Sequence, residues 1–129
     1  GRRIMLVEDN ELNREIAYEL LSESGLIVDV AENGQEAIKL LGIRPENYYE
    51  LIFMDIQMPV MNGYEATATI RAGESDYWKT IPVIAMTANV FQEDESRAAE
   101  CGMSDYVTKP IDMNVIYSVL EKWLRGQKG

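Results

Sequence analysis

Ile4-Met5-Leu6-Val7-Glu8-Asp9-Asn10 governs how the rest of the chain reads: four apolar residues in a row, cut off by two acids and then an amide. A run so short and so uniformly apolar fits a strand buried on both faces, as in parallel sheets, rather than an alternating strand with one wet side. Asn10 is suited to cap a helix, and the stretch after it places Leu12, Ile16, Ala17, Leu20 and Leu21 on one helical face before Gly25 ends it. A strand followed by such a helix is the opening half of a crossover unit.

Four more rounds follow. Ile27-Val28-Asp29-Val30-Ala31 is more polar and suits a sheet edge, and Asn33 with Glu36 reads as a capping box for a helix with Ala37, Ile38 and Leu41 inward. Leu51-Ile52-Phe53-Met54 stops at Asp55, and Pro59 and Gly63 break the chain before a short helix carrying Ala66 and Ile70. Val83-Ile84-Ala85-Met86 follows Pro82 and stops at Thr87; Gln92 to Cys101 then reads as a polar helix ended by Gly102. Asp105-Tyr106-Val107 runs into Thr108-Lys109-Pro110, and a last helix sets Met113, Ile116, Tyr117, Leu120, Trp123 and Leu124 on one side, read as core. Right-handed crossovers with helices on both faces make this a three-layer, doubly wound α/β sheet, whose ligand site lies beyond the carboxyl ends of the strands. One domain is expected over residues 1–129, with 126–129 a polar tail.

Composition narrows the chemistry. With 47% hydrophobic and 26% charged residues, the chain is an ordinary globular sequence and not a disordered or fibrous one. Histidine is absent, which excludes a Ser-His-Asp or Cys-His nucleophile, a His-ligated zinc and a phosphohistidine on this chain. The lone Cys101 cannot close an internal disulfide, so a reducing, cytoplasmic setting is expected. A net charge of −10 repels nucleic-acid backbones and anionic membranes, and no apolar run approaches the roughly 20 residues of a spanning helix. Neither nucleic-acid binding nor membrane insertion is expected of this segment, and Gly1-Arg2-Arg3 before Ile4 is too short for a signal peptide.

The polar residues that end the apolar runs are Glu8, Asp9, Asp55, Thr87 and Lys109, and the strand-end rule gathers them at one edge. Three carboxylates within about 5 Å repel by roughly 3 kcal/mol per pair at an effective dielectric of about 20. Lys109 alone leaves a deficit of about two negative charges, which a divalent ion fills; an all-oxygen set favours Mg²⁺ or Mn²⁺ over zinc. A metal, a carboxylate, a hydroxyl and an ammonium without a proton-transfer group fit phosphoryl transfer, which depends on positioning and charge neutralisation. Asp55 is then the nucleophile, forming an acyl phosphate without a base, while Lys109 stabilises charge and Thr87 donates a hydrogen bond.

These residues resemble the receiver domain of two-component response regulators and hybrid sensor kinases. The resemblance rests on Leu6-Val7-Glu8-Asp9-Asn10, Met54-Asp55-Ile56-Gln57-Met58-Pro59 with Met61-Asn62-Gly63, Met86-Thr87-Ala88 and Lys109-Pro110, in order and over nearly the whole chain. It implies a flavodoxin-like sheet of strand order 2-1-3-4-5. It further implies that Asp55 accepts a phosphoryl group from a phosphohistidine of a histidine kinase or histidine phosphotransfer domain, the parent kinase included. Asp9, Asp55 and the backbone carbonyl of Gln57 would ligate Mg²⁺, with Glu8 assisting through water, and Thr87 and Lys109 would hold the phosphoryl oxygens. Thr87 and Tyr106 would form the switch, a cis Lys109-Pro110 bond would orient the ammonium, and Gln57 and Asn89 would tune dephosphorylation. The output surface would be the helix from Gln92 to Cys101, the strand Asp105-Tyr106-Val107 and the last helix. Asn13-Arg14 after the first acids, and Val60-Met61-Asn62-Gly63 after Pro59, are typical wordings of receivers fused to hybrid kinases. Such a domain catalyses only its own phosphorylation and dephosphorylation; a kinase core would belong to the parent protein, the receiver then lying on its cytoplasmic side. The stretches from Gly42 to Glu50 and from Ala72 to Thr80 are longer than the family pattern.

Three rivals use similar parts. A haloacid-dehalogenase-type phosphatase also employs a strand-end Asp, Mg²⁺ and Lys, but it needs an acid two residues beyond the nucleophile, where this chain has Gln57. A flavodoxin-like electron carrier needs phosphate-binding donors where this chain has Glu8-Asp9-Asn10-Glu11. A receiver fold serving only as a scaffold is disfavoured because the phosphorylation set is intact.

Overall fold

Alternation along each short strand divides the apolar side chains between two cores. The computed structural model describes residues 2–56, 62–73, 75–87, 99–108 and 113–124. Strands β1 (Arg3–Val7), β2 (Ile27–Ala31), β3 (Ile52–Asp55), β4 (Val83–Thr87) and β5 (Asp105–Thr108) form one parallel sheet in the order β2-β1-β3-β4-β5. Ile4, Leu6, Phe53, Ile84 and Met86 face one layer, packed with Ala17 and Leu21 of α1 (Glu11–Glu23) and Ile116 and Val119 of α5 (Met113–Leu124). Met5, Val7, Ile52, Met54, Val83 and Ala85 face the other, against α2 (Gly34–Ile43), α3 (Gly63–Arg71) and α4 (Asp76–Thr80). The expected three-layer, doubly wound sheet is therefore the observed one, with the polar β2 at an edge.

Helix boundaries follow local chemistry. The Asn10 side chain accepts the Asn13 N–H at 3.0 Å, and Gly25, at φ 91°, follows the Ser24 cap that ends α1. Asn33 accepts the Glu36 N–H at 2.9 Å, and a complete capping box joins Asn62 and Glu65 at the start of α3. Residues 99–101 are helical and end at Gly102, at φ 101°; the rest of the helix expected from Gln92 lies outside the described residues.

Two helical faces differ from expectation. Leu12 and Ile16 were expected inward with Ala17 and Leu21, yet they are 65% and 49% exposed. Each step of four residues turns by about 40° around a helix, so the row through Leu20, Ile16 and Leu12 winds off the buried stripe. In α5 the stripe runs through Ile116, Val119, Leu120 and Trp123, and Tyr117, about 100° from Ile116, is 52% exposed.

The two long connections pin each other. Tyr49, fully buried, donates its hydroxyl to Asp29 at 2.7 Å, and Asp29 also pairs with Arg3 at 3.3 Å. Burial, with the hydrogen bond and charge of Asp29, pushes the Tyr49 phenol well above its ordinary pKa. The Tyr77 hydroxyl, in α4, accepts the Tyr49 N–H at 3.0 Å and donates to the Tyr49 carbonyl at 2.7 Å. At the head of β5, Asp105 accepts from the Trp123 indole at 3.0 Å, the Tyr106 N–H at 2.8 Å and the Lys122 ammonium at 3.3 Å, fastening α5 to the sheet. Burial raises the Asp105 carboxyl, but those donors together with the Lys122 charge outweigh it and hold it below the ordinary carboxylate range. A carboxyl depressed in the folded state stabilises above its unfolded pKa, and that contribution fades as pH falls through the folded value. Asp105→Asn is accordingly expected to lower stability by about 1–2 kcal/mol near pH 7, with the deficit shrinking below about pH 4. Urea unfolding of both proteins across that range tests it; a deficit independent of pH would remove the charged form from the account.

Candidate functional site

Parallel pairing brings distant acids to one edge. The register of β1 on β3 sets Val7 opposite Met54, so the residues that follow, Glu8 and Asp55, arrive side by side. Glu8 is 2% exposed and Asp55 3%, while Asp9 is open to solvent. One carboxylate oxygen from each of Glu8, Asp9 and Asp55 lies within 4.8 Å of the others. That is the crowding expected from the strand ends.

Backbone around the cluster is held from three directions. The Glu8 N–H donates to the Ala31 carbonyl at 3.1 Å, and the Glu8 carboxylate folds back to accept the Asn10 N–H at 3.2 Å. The positive end of α1 thus begins directly behind the acids. On the β3 side, the Ile56 N–H donates to the Met86 carbonyl at 3.2 Å, and the Gly63 N–H donates to the Ile56 carbonyl at 2.9 Å. Gly63 opens α3 so close to the end of β3 that a Cβ there would stand 2.4 Å from the Asp55 carbonyl oxygen and 2.8 Å from the Ile56 Cα. Only glycine permits that approach. The Thr67 hydroxyl, fully buried, satisfies the Gly63 carbonyl at 2.8 Å.

β4 places Met86 opposite Asp55, and Thr87 follows at its end, half-buried and in register with Thr108 of β5. Tyr106 pairs with Ala85 and is 38% exposed on the edge strand. The structure therefore gathers Glu8, Asp9 and Asp55 and ends the neighbouring strand with Thr87. Lys109, Gln57, Asn89 and Pro110, named from the sequence, lie outside the described residues.

Carboxylate oxygens so close repel one another, by about 3 kcal/mol per pair at a dielectric of about 20. Two of the three have lost most of their water. The donor set is all oxygen and open on the Asp9 side, which suits a hard dication that keeps part of its hydration shell. These residues fit Mg²⁺ or Mn²⁺ and do not suit a metal that prefers nitrogen or sulfur.

A family model for the response regulator receiver domain matches residues 4–121. The chain belongs to that family. Among curated relatives, hybrid signal transduction histidine kinase I of Dictyostelium discoideum is 36% identical over 92% of this chain, which spans 7% of that kinase. Among solved structures, the receiver domain of sensor histidine kinase PA1611 from Pseudomonas aeruginosa PAO1, which has a magnesium ion coordinated in its active site cleft, superposes with a TM-score of 0.86. It is 34% identical, with 97% of this chain and 98% of that one covered. The receiver domain of Saccharomyces cerevisiae Ssk1, solved with the histidine phosphotransfer signaling protein Ypd1, gives a TM-score of 0.85 at 31% identity, covering 98% and 91%. The receiver reading from the sequence is thereby established, including its likeness to receivers of hybrid kinases.

Two residues packed beside the acids leave only weak signals in the sequence. Gly63 gives one local signal, since glycine at the first helical position after an Asn cap marks a close backbone approach. Arg14 stands four residues after the Asn10 cap, in the first turn of α1, and its guanidinium lies against the Glu8 carbonyl.

Proposed function

We propose that this receiver takes a phosphoryl group onto Asp55 from a phosphohistidine of a partner kinase or histidine phosphotransfer domain, its own parent kinase included. The cluster of three carboxylates that includes the buried Asp55 carries the reading. In this mechanism an Asp55 carboxylate oxygen bonds to phosphorus as the phosphorus–nitrogen bond of the donor breaks, and the electron pair of that bond returns to the imidazole. No base is needed, because the carboxylate form of Asp55 attacks phosphorus without losing a proton. Asp9, Asp55 and the backbone carbonyl of Gln57 would hold Mg²⁺, with Glu8 assisting through a water. When bound, the ion neutralises charge on the phosphoryl oxygens and the carboxylates. Thr87 and Lys109 take the remaining phosphoryl oxygens, and the movement of Thr87 towards them turns Tyr106 inward from its exposed position. Gln57 and Asn89 tune hydrolysis of the acyl phosphate.

The match to histidine kinases and the kinship with a receiver solved with its phosphotransfer protein support the choice of donor. A cytoplasmic setting agrees with the single cysteine, and among the described residues no helix is long and apolar enough to cross a membrane. Incubation with acetyl phosphate and Mg²⁺ is expected to add one phosphoryl group by intact-protein mass spectrometry, and EDTA is expected to suppress it. Equal labelling in EDTA would overturn the metal's part in the reaction.

A further inference from the structure

Arg14 reaches back from α1 across the loop that carries Glu8 and Asp9. Its guanidinium donates to the Glu8 carbonyl at 3.0 Å and to the Asp9 carbonyl at 3.4 Å, and its other terminal nitrogen pairs with Glu32 at 3.5 Å. The Arg14 side chain is 18% exposed and that of Glu32 64%. Two consecutive carbonyls facing one planar cation constrain the peptide planes on both sides of Asp9, and with them the directions in which the Glu8 and Asp9 side chains leave the backbone. The Arg14 N–H donates to the Asn10 carbonyl at 2.8 Å, so the clasp is anchored in the first turn of the helix it grows from. Both carbonyl bonds leave the same terminal nitrogen, whose two N–H directions are fixed by the guanidinium plane, whereas the three donors of a lysine ammonium rotate freely.

We infer that Arg14 is a positioning residue for the metal site: it clasps the Glu8 and Asp9 carbonyls and so pre-sets the acids for a dication. This inference rests on the proposed Mg²⁺-dependent reading of the cluster. Two physical effects of the cation oppose each other. Its charge, near three carboxylates, weakens attraction for a second cation, while its hydrogen bonds hold the ligands in place. Glu32 offsets part of that charge, though an exposed pair of this kind is worth little. The bond to the Glu8 carbonyl is part-buried and less screened than that pair, while the longer bond to Asp9 is exposed, so positioning through the Glu8 carbonyl outweighs charge. Groups that orient metal ligands typically change affinity by about 10–100-fold when removed.

The test is calorimetric titration of Mg²⁺ into the unphosphorylated protein and into Arg14→Gln, Arg14→Lys and Glu32→Gln, with hydrogen exchange at the Asn10 and Asn13 amides in metal-free buffer. Both Arg14 variants are expected to bind Mg²⁺ about 10-fold more weakly and to exchange faster at those amides. Glu32→Gln, which keeps the carbonyl bonds, is expected to stay within about twofold of the parent. Tighter binding in Arg14→Gln with parental binding in Arg14→Lys would show a pure charge effect and overturn the inference, as would unchanged affinity in both. Arg14→Lys keeps the charge and the aliphatic stem, and it decides the matter should Arg14→Gln fail to fold. If the parent itself binds no Mg²⁺, the reading of the site falls; if the parent binds and the Arg14 variants bind equally, only the inference falls.

Discussion

Asp55→Asn is expected to take up no phosphoryl group from acetyl phosphate under conditions that label the parent fully, and to bind Mg²⁺ far more weakly. The amide is nearly the same shape as the carboxylate, and Asp55 is 3% exposed at the end of a central strand, so the fold should accept it. The changes are chemical. An amide oxygen is a poor nucleophile, and the cluster of Glu8, Asp9 and Asp55 drops from three negative charges to two. The same loss relieves repulsion, so in metal-free buffer the variant is expected to be more stable than the parent by about 1–3 kcal/mol, a gap that narrows when Mg²⁺ is added. Mass spectrometry reads the first outcome and thermal unfolding with and without Mg²⁺ the second. Labelling of the variant at the parent's rate would remove Asp55 as the acceptor.

Gly63→Ala carries the second large effect, and it acts through backbone rather than charge. The new methyl would meet the Asp55 carbonyl oxygen at 2.4 Å and the Ile56 Cα at 2.8 Å, and neither atom can swing aside as a side chain end would. The start of α3 and the end of β3 must separate. Overpacking of this kind costs about 3 kcal/mol. A shift of about 1 Å at the nucleophile lowers a positioned reaction by about 100-fold. Urea unfolding and the rate of labelling by acetyl phosphate test the two parts. Gly42→Ala is the matched control: a Cβ there meets nothing within 4 Å, and in α2 alanine is expected to be neutral or stabilising by up to about 1 kcal/mol. Parental behaviour of Gly63→Ala would mean that α3 and β3 are free to part without cost.

Much of the site was legible because it sits where the chain changes character. Glu8, Asp9, Asp55 and Thr87 each end or follow an apolar strand, and parallel strands share a direction, so their ends share an edge. The caps Asn10 and Asn33 were legible for the same local reason, since a side chain that accepts an N–H three residues on needs nothing from the rest of the fold. Leu12 and Ile16 were misplaced because helical spacing alone says which residues share a row and not where that row leaves the core.

What the sequence determined by itself was the alternation of doubly buried strands with amphipathic helices and the sheet edge that receives the acids. Only the tertiary structure decided how that edge is braced: Arg14 on the Glu8 and Asp9 carbonyls, α3 seated against Asp55 at Gly63, Tyr77 bonded to Tyr49 across 28 residues, and Asp105 tied to Trp123. The reason is one of range. Burial periodicity and capping act over a few residues and leave their mark in the order of amino acids, whereas a hydrogen bond between separate elements depends on where the packed layers finally set them.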